Sequence, residues 1–184
     1  MRIEETIEES VVVKELNSYL LHFPDETPAL MPLFDTLLDH ARQGDCLHDG
    51  LCPIVKAGAV LVNEGGRALA LKRAGSWVFA EGDPSVADHS LSRTAVRILA
   101  EAAGACDVWT IPGAEHPLLI DISPADPEDG RRTRYGFRYL FRAHSGVLFP
   151  AEAPTPSRTR WVPLEEIGHP LLRARLRATL TDAP

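Results

Sequence analysis

Residues 77–105 read WVFAEGDPSVADHSLSRTAVRILAEAAGA, and this stretch decides the fold. It begins with a tryptophan-containing segment that shows no regular periodicity. From Ser90 to Ala103 apolar residues then recur at helical spacing, and Gly104 is a typical residue for a helix C-terminus. The helix is predicted to bury one stripe in the core, formed by Leu91, Ala95, Leu99 and Ala103.

The bulk composition is that of a globular protein. The chain has 184 residues, of which 45% are hydrophobic and 24% are charged, and its formal net charge is -7. Negative charge opposes binding to a phosphate backbone, so a nucleic-acid polymer is not an expected partner. The acidic N-terminus lacks the cationic lead of an export signal, and no apolar run is long enough to cross a bilayer. We therefore expect a cytoplasmic protein without a membrane partner.

The three cysteines, Cys46, Cys52 and Cys106, form an odd and sparse set. Such a set does not predict a disulfide framework, and reduced thiols are typical of the cytosol. The fragment CLHDGLC brings Cys46, His48 and Cys52 together, but a closed zinc site needs four ligands. We do not expect zinc.

The first 50 residues are predicted to form a helical extension packed on a main domain of residues 51–184. Helical spacing of apolar residues runs from Glu5 to Leu21 and stops at Pro24. A second helix has Pro28 in its first turn and runs to a break at Gly44.

The main domain is predicted to be α+β, with strands paired around an early helix. IVKAGAVLVN, EGG and RALALKR are typical of a strand, a hairpin turn and a second strand. The following residues 74–89 are predicted to be irregular. Further strands are predicted at HPLLIDIS and YGFRYLFRAH around the loop PADPEDGRRTR, and SGVLFPAEAPTPSR is predicted to be a surface loop. RWVPLEEIGHPLLRARLRATL predicts a short strand and a terminal helix.

Several of these segments, in this order, resemble the Nudix superfamily. They are GAVLVNEGGRALALKRAGSWVFAEG, RILAEAAGA and RWVPLEEI, and the resemblance covers about residues 52–180. The family's signature box is G-x5-E-x7-R-E-U-x-E-E-x-G-U, where U is aliphatic. A bacterial Nudix subgroup has one extra residue in the box and an Asp-x-Ser-Leu segment, which matches Asp88–Leu91 here. The resemblance implies an α/β/α sandwich with a mixed β-sheet, preceded by the helical extension.

The resemblance also implies hydrolysis of a nucleoside diphosphate linked to another group, with Mg²⁺ held by box glutamates. Here the box has lost most of these groups. Ala80–Gly82 stand where the family has Pro-Gly-Gly, Arg97 and Ile98 where it has Arg-Glu, and Glu101 and Ala102 where it has Glu-Glu. One carboxylate remains on a helix face that should carry three, so we expect family-typical hydrolysis to be weak or absent and no cofactor to be required.

The candidate site residues follow from the same alignment of segments. The catalytic candidates are Glu101, Glu81 and Lys56, and a residual Mg²⁺ would be held by Glu101, Asp88 and Asp83. The substrate-binding candidates are Trp77, Ile98, Ala102, Lys72, Arg73, Arg138 and Tyr139. Strand alternation allows only one of Arg138 and Tyr139 to face the site.

Structural roles are open for several of these residues. Glu101 is placed to form an intrahelical ion pair with Arg97, Asp88 to cap the helix, and Glu81 and Asp83 to be solvated loop charges. Lys56 is either an outward-facing lysine or, if it faces the interior, a perturbed catalytic or anion-binding group.

Three functions remain open. The first is a repurposed small-molecule enzyme, such as an isomerase, cyclase or lyase, that uses acid–base chemistry in an apolar pocket. The second is a non-catalytic ligand sensor or interaction module, and the third is a weak hydrolase with a metal site rebuilt from loop carboxylates. The resemblance further implies a homodimer, with the opening helices as one candidate contact.

Overall fold

The computed structural model describes residues 8–43, 52–143 and 158–182. Two helices open it, α1 (Glu9–His22) and α2 (Thr27–Gln43), separated by a short 3₁₀ helix that begins at Pro24. This confirms the predicted break at Pro24 and the placement of Pro28 in the first turn of α2. No helix within the described ranges has both the length and the apolar character needed to cross a membrane.

One mixed sheet of eight strands forms the centre of the molecule. β1 (Ile54–Val62) and β7 (Thr133–Ala143) run parallel to each other through its middle, and their register places Gly58 opposite Arg138. β1 is buried on both faces, as expected for a central strand. The other strands are β2 (Ala68–Arg73), β3 (Ser76–Val78), β4 (Ala80–Gly82), β5 (Val108–Thr110), β6 (Leu119–Pro124) and β8 (Thr159–Val162).

Helices cover both faces of the sheet, which gives the predicted α/β/α sandwich. One core contains Leu16, Leu33 and Leu99 of α1, α2 and α3 (Leu91–Ala103) together with Leu61 of β1. On the opposite face, Leu176 of α4 (Pro170–Asp182) packs in a second core, as do the β1 residues Val60 and Val62. The alternation of β1 side chains therefore separates the two cores.

Arg175 of α4 connects the opening helices to the main domain. It donates hydrogen bonds to the Tyr19 hydroxyl at 2.6 Å and to the Leu118 carbonyl at 2.9 Å, and it is ion-paired with Glu26. Burial and the hydrogen bond to Glu26 raise the pKa of Tyr19 to about 12. α1 and α2 pack in the same first core as the main domain. The boundary at residue 50 therefore stays a prediction from the sequence pattern.

Two sequence-based predictions about secondary structure are wrong. Residues 74–89, predicted to be irregular, contain β3 and β4, and β5 was not predicted. These strands have three residues each, too few for a period to emerge, and their pairing partners on β2, β1 and β7 define them. Most of the predicted loop 145–158 and most of the CLHDGLC fragment lie outside the described residues.

The prediction of reduced thiols is wrong for Cys52, which is disulfide-bonded. Cys106 is a free, exposed cysteine.

Candidate functional site

α3 begins and ends as its sequence predicts. The Ser90 hydroxyl accepts a hydrogen bond from the Arg93 amide at 3.1 Å, and Gly104 adopts φ 68° at the C-terminus, where its amide bonds the Ala100 carbonyl. Ser90 therefore caps the helix. Asp88, predicted as a cap of α3, instead belongs to a capping box on the short 3₁₀ helix in front of it: Ser85 is the N-cap, and the Asp88 carboxylate accepts a hydrogen bond from the Ser85 amide at 3.0 Å.

Asp88 also forms a bidentate ion pair with Arg97. Nε and Nη2 of Arg97 donate to the two carboxylate oxygens at 2.8 and 2.9 Å, and the Thr94 hydroxyl donates to Oδ2 at 2.9 Å. The hydrogen bonds from Arg97 are the largest cause that lowers the pKa of the Asp88 carboxyl, to about 2. Burial acts in the opposite direction, and the hydrogen bond from Thr94 lowers the pKa further. Arg97 Nη2 also donates to the Asp83 carbonyl at 2.8 Å. Arg97 thus connects α3 to the loop in front of it.

In an intact box one face of α3 would hold Mg²⁺. Here Ile98 fills part of that face, and its one carboxylate is ion-paired. A Cβ built on Gly82 would lie 2.5 Å from Cδ1 of Ile98, so Ile98 packs directly on the glycine of the former loop. Glu101 is 59% exposed and forms an ion pair with Arg97 at 3.1 Å, while Ala102 contributes no oxygen. Mg²⁺ needs a set of oxygen ligands, and this face does not provide one.

The remaining metal candidates are ion-paired as well. Asp83 contacts Lys56 at 2.5 Å, Asp88 is held by Arg97, and Glu81 lies between two arginines. Within residues 8–43, 52–143 and 158–182 no group of three or more His, Cys, Asp or Glu side chains is placed to hold a metal ion. These residues therefore do not fit the Mg²⁺ centre that the resemblance implies.

A cavity of about 530 Å³ lies on the α4 side of the sheet. Its described walls include Arg73, Arg134, Arg138 and Arg160. Its acidic lining consists of Glu81, Asp121, Asp126 and Glu166. The structure therefore separates the cavity from the Mg²⁺ face of α3, because Ile98, Glu101 and Ala102 are not among its walls.

Four of these residues form what we term the charge cluster: Glu81, Asp121, Arg134 and Arg138. Glu81 Oε1 lies 3.0 Å from Nη1 of Arg134 and Glu81 Oε2 lies 2.9 Å from Nη2 of Arg138. Arg138 Nε donates to Asp121 at 2.7 Å, and Arg134 Nε donates to the Ser123 hydroxyl at 3.0 Å. Strand pairing brings these four side chains together: β7 pairs with both β1 and β6, and β4 pairs with β1.

Two glycines leave room for the charge cluster. A Cβ on Gly136 would lie 2.5 Å from Asp121 Oδ1 and 3.4 Å from Glu81 Oε2. A Cβ on Gly58 would lie 3.0 Å from the Ala80 carbonyl and 3.5 Å from Arg138 Nη1. The side chains of the cluster therefore occupy the space that a Cβ at either position would need.

The more exposed part of the cavity wall contains Trp77, whose ring is 4.5 Å from the Arg160 guanidinium. This is the spacing of a cation–π contact. Arg73 also lines the cavity, whereas Lys72 is exposed and is not among the described walls. Lys56 likewise lies outside the walls, in its pair with Asp83.

Strand alternation places Arg138 and Tyr139 on opposite faces of the sheet. Arg138 faces the cavity, and Tyr139 is buried in the first core, where burial raises the pKa of its hydroxyl well above the usual value. Sequence reasoning missed Asp121, Arg160 and His169 of the cavity wall. The sequence indicated which residues of β6 and β8 alternate between the two faces. It did not indicate the strands with which β6 and β8 pair.

The fold and this site define a class of protein. The family model for the NUDIX domain matches residues 53–183, so the chain belongs to the Nudix family. No curated protein matches the sequence.

Three solved structures illustrate the structural likeness. The NUDIX domain of Shewanella oneidensis NrtR complexed with ADP ribose is 17% identical over 78% of this chain and 97% of its own, with a TM-score of 0.49. S. oneidensis NrtR is 20% identical over 70% of this chain, with a TM-score of 0.50, and the match spans 63% of the NrtR chain. A C. elegans Ap4A hydrolase binary complex is 14% identical over 70% of this chain and 95% of its own, with a TM-score of 0.47. At these identities the likeness concerns the fold.

Proposed function

We propose that this Nudix-fold protein binds a small organic molecule in the cavity on the α4 side of the sheet and does not depend on Mg²⁺-assisted diphosphate hydrolysis. One observation carries the proposal: each candidate carboxylate for a metal site, namely Glu81, Asp83, Asp88 and Glu101, is ion-paired with an arginine or lysine. A carboxylate bound to a cationic side chain competes poorly as a metal ligand.

The cavity has the features of a small-molecule site. Its volume of about 530 Å³ is within the usual range for ligand pockets. Apolar walls such as Ala70, Val162 and Leu172 adjoin the charge cluster, and Trp77 offers a ring face. Pockets that combine apolar walls with a few fixed polar groups position ligands specifically.

A Mg²⁺ ion in a Nudix hydrolase would supply charge neutralisation for the diphosphate and a bound water. The structure supports no such role here, because Ile98 fills the space beside Gly82 and Glu101 is the one carboxylate at the family's three box positions on that face. The weak-hydrolase hypothesis is therefore the least supported of the three.

A repurposed acid–base enzyme, of isomerase, cyclase or lyase type, is the second candidate. One observation favours it: Glu81, a predicted catalytic residue, lines the cavity and is only 12% exposed. The other two predicted catalytic residues, Glu101 and Lys56, are not among the described cavity walls. We favour ligand binding because each carboxylate oxygen of Glu81 is already ion-paired with an arginine of the chain itself, at 3.0 and 2.9 Å.

The proposal is tested with a ligand panel on the full chain. Nucleosides, nucleoside diphosphates, aromatic acids and sugars are screened by thermal shift and calorimetry, in Mg²⁺ and in EDTA, and each mixture is analysed for products by ³¹P NMR and chromatography. We expect at least one compound to raise Tm equally in both buffers, with no Mg²⁺-dependent product.

Two variants localise the binding. W77A is expected to weaken binding of the hit by about fivefold, because stacking on an aromatic face contributes about 1 kcal/mol beyond buried area. R177Q is the control, since Arg177 is exposed, pairs with Glu165 and is not among the described cavity walls. Mg²⁺-dependent cleavage of a nucleoside diphosphate compound, or a hit insensitive to W77A, would contradict the proposal.

We propose a cytoplasmic protein that acts on a small molecule, pairs as a homodimer and binds neither nucleic-acid polymers nor membranes. Sedimentation of the purified full chain tests the dimer.

A further inference from the structure

Glu81 occupies an unusual place in the cavity. It lies on β4 opposite Gly58, and it stands where the family resemblance puts a glycine. Each of its two carboxylate oxygens contacts a different arginine, at 3.0 Å for Arg134 and 2.9 Å for Arg138. A glycine at this position would leave both guanidinium groups without this counter-anion.

The charge cluster is neutral as a whole, with two carboxylates against two guanidinium groups. Its members are largely removed from solvent, with Glu81 at 12%, Arg138 at 13% and Asp121 at 14% exposure. Water and salt screen partly buried charges less than exposed ones, so the balance within the cluster determines the field in this part of the cavity.

Both arginines are held in position independently of Glu81. Arg138 is held by Asp121 at 2.7 Å, and Arg134 is held by the Ser123 hydroxyl at 3.0 Å. They lie four residues apart on β7, so both project from the same face, and Gly136 midway between them has no side chain. Two fixed guanidinium groups that line the same cavity are well suited to bind an oxyanion.

We infer that Glu81 is an intramolecular counter-anion that sets the ligand specificity of the cavity. It supplies the negative charge between Arg134 and Arg138, and its charge thereby excludes ligands that carry a phosphate or similar anion at that point. The cavity accepts ligands that are uncharged or zwitterionic there. This inference rests on the proposed function, because it takes the cavity to be the ligand site.

The test compares the wild-type chain with E81Q, using pyrophosphate and inorganic phosphate as probes in calorimetry without divalent cations. E81Q keeps nearly the same shape and removes one negative charge, so both arginines become available to the probe. We expect pyrophosphate to bind E81Q about ten- to a hundredfold more tightly than the wild type, since a hydrogen bond to a charged group contributes roughly that factor.

Two controls make the result specific. E165Q removes the same charge from an exposed carboxylate that pairs with Arg177 and is not among the described cavity walls, and it should leave pyrophosphate binding within about twofold. The double variant E81Q/R138Q should lose the gain, because one of the two cations is gone.

Equal pyrophosphate affinity in E81Q and E165Q would overturn the inference. If E81Q does not fold, the wild type is tested alone. Submillimolar pyrophosphate binding that competes with the panel hit would refute exclusion by Glu81. The absence of such binding, together with a panel hit that is uncharged at neutral pH, would support it. Failure of the proposed function is distinguishable, because it would appear as no panel hit at the cavity or as Mg²⁺-dependent turnover.

Discussion

Replacing Asp88 by asparagine should destabilise the protein at neutral pH and much less in acid. In the folded chain Arg97 is the main cause that lowers the pKa of Asp88 from 3.8 to about 2, and the Asp88 side chain is only 7% exposed. A depressed carboxyl pKa contributes stability above the unfolded value and loses it as pH falls through the folded value. A difference of this size corresponds to about 2 kcal/mol at pH 7, about half of that at pH 3, and little at pH 2.

Urea unfolding of wild type and D88N at pH 7, 4 and 3 measures this difference directly. At pH 7 the thermal midpoint should also fall by about 4–8 °C, given about 2–4 °C per kcal/mol in a chain of this size. E101Q is the matched control, because it removes the other Arg97 carboxylate partner, which is 59% exposed, and should cost only a few tenths of a kcal/mol. A wild-type advantage over D88N that is the same at pH 7 and pH 3 would refute the reasoning.

Three further predictions concern the α3 face, the glycine beside the charge cluster, and His116, whose ring stacks on that of His22 in α1 with centroids 3.6 Å apart. The double variant I98E/A102E should acquire Mn²⁺ binding, measured by electron paramagnetic resonance, that exceeds any in the wild type; unchanged binding would show that carboxylates are not what this face lacks. G136A should lose about 1–3 kcal/mol in urea unfolding, because its Cβ would lie 2.5 Å from Asp121 Oδ1, an atom whose carboxylate is held by Arg138; a neutral result would mean the cluster shifts freely. Burial, and then His22, lowers the pKa of His116, so the wild type should lose stability as pH falls below about 6.5, and H116Q should flatten this profile between pH 7 and 5.

The sequence predicted the parts of the fold whose signal is local. The hydrophobic run of β1, the Pro24 break and the Gly104 helix end each depend on neighbours within a few residues, and the structure confirms them. β4 and β5 depend on hydrogen bonds to β1 and β7, which are distant in the sequence, so no local pattern could reveal them. β3 pairs with the neighbouring β2 through a two-residue turn, but its three residues are too few to show a strand period. Tertiary pairing, rather than propensity, makes these residues strands.

The candidate site was partly readable for the same reason. Alternation limited Arg138 and Tyr139 to opposite faces, and the departure from the family's glycine singled out Glu81. Asp121 could not be predicted, because its approach to Arg138 follows from the register of β6 on β7. The separation of the cavity from Ile98 and its neighbours also required the three-dimensional arrangement, since the sequence places Glu81 and Ile98 in one motif.

The fate of the box residues follows from what each contributes without metal. Arg97 and Asp88 join α3 to the preceding loop through bidentate hydrogen bonds, and losing either would leave a buried or half-buried charge unpaired. Clustered carboxylates on the Mg²⁺ face would only repel one another in the absence of the ion, so apolar residues there cost the fold nothing. Ile98 even adds packing against Gly82. Charge has instead been added at Glu81, where two fixed arginines compensate it, and this places the polar chemistry of the domain in the cavity on the α4 side rather than on the box helix.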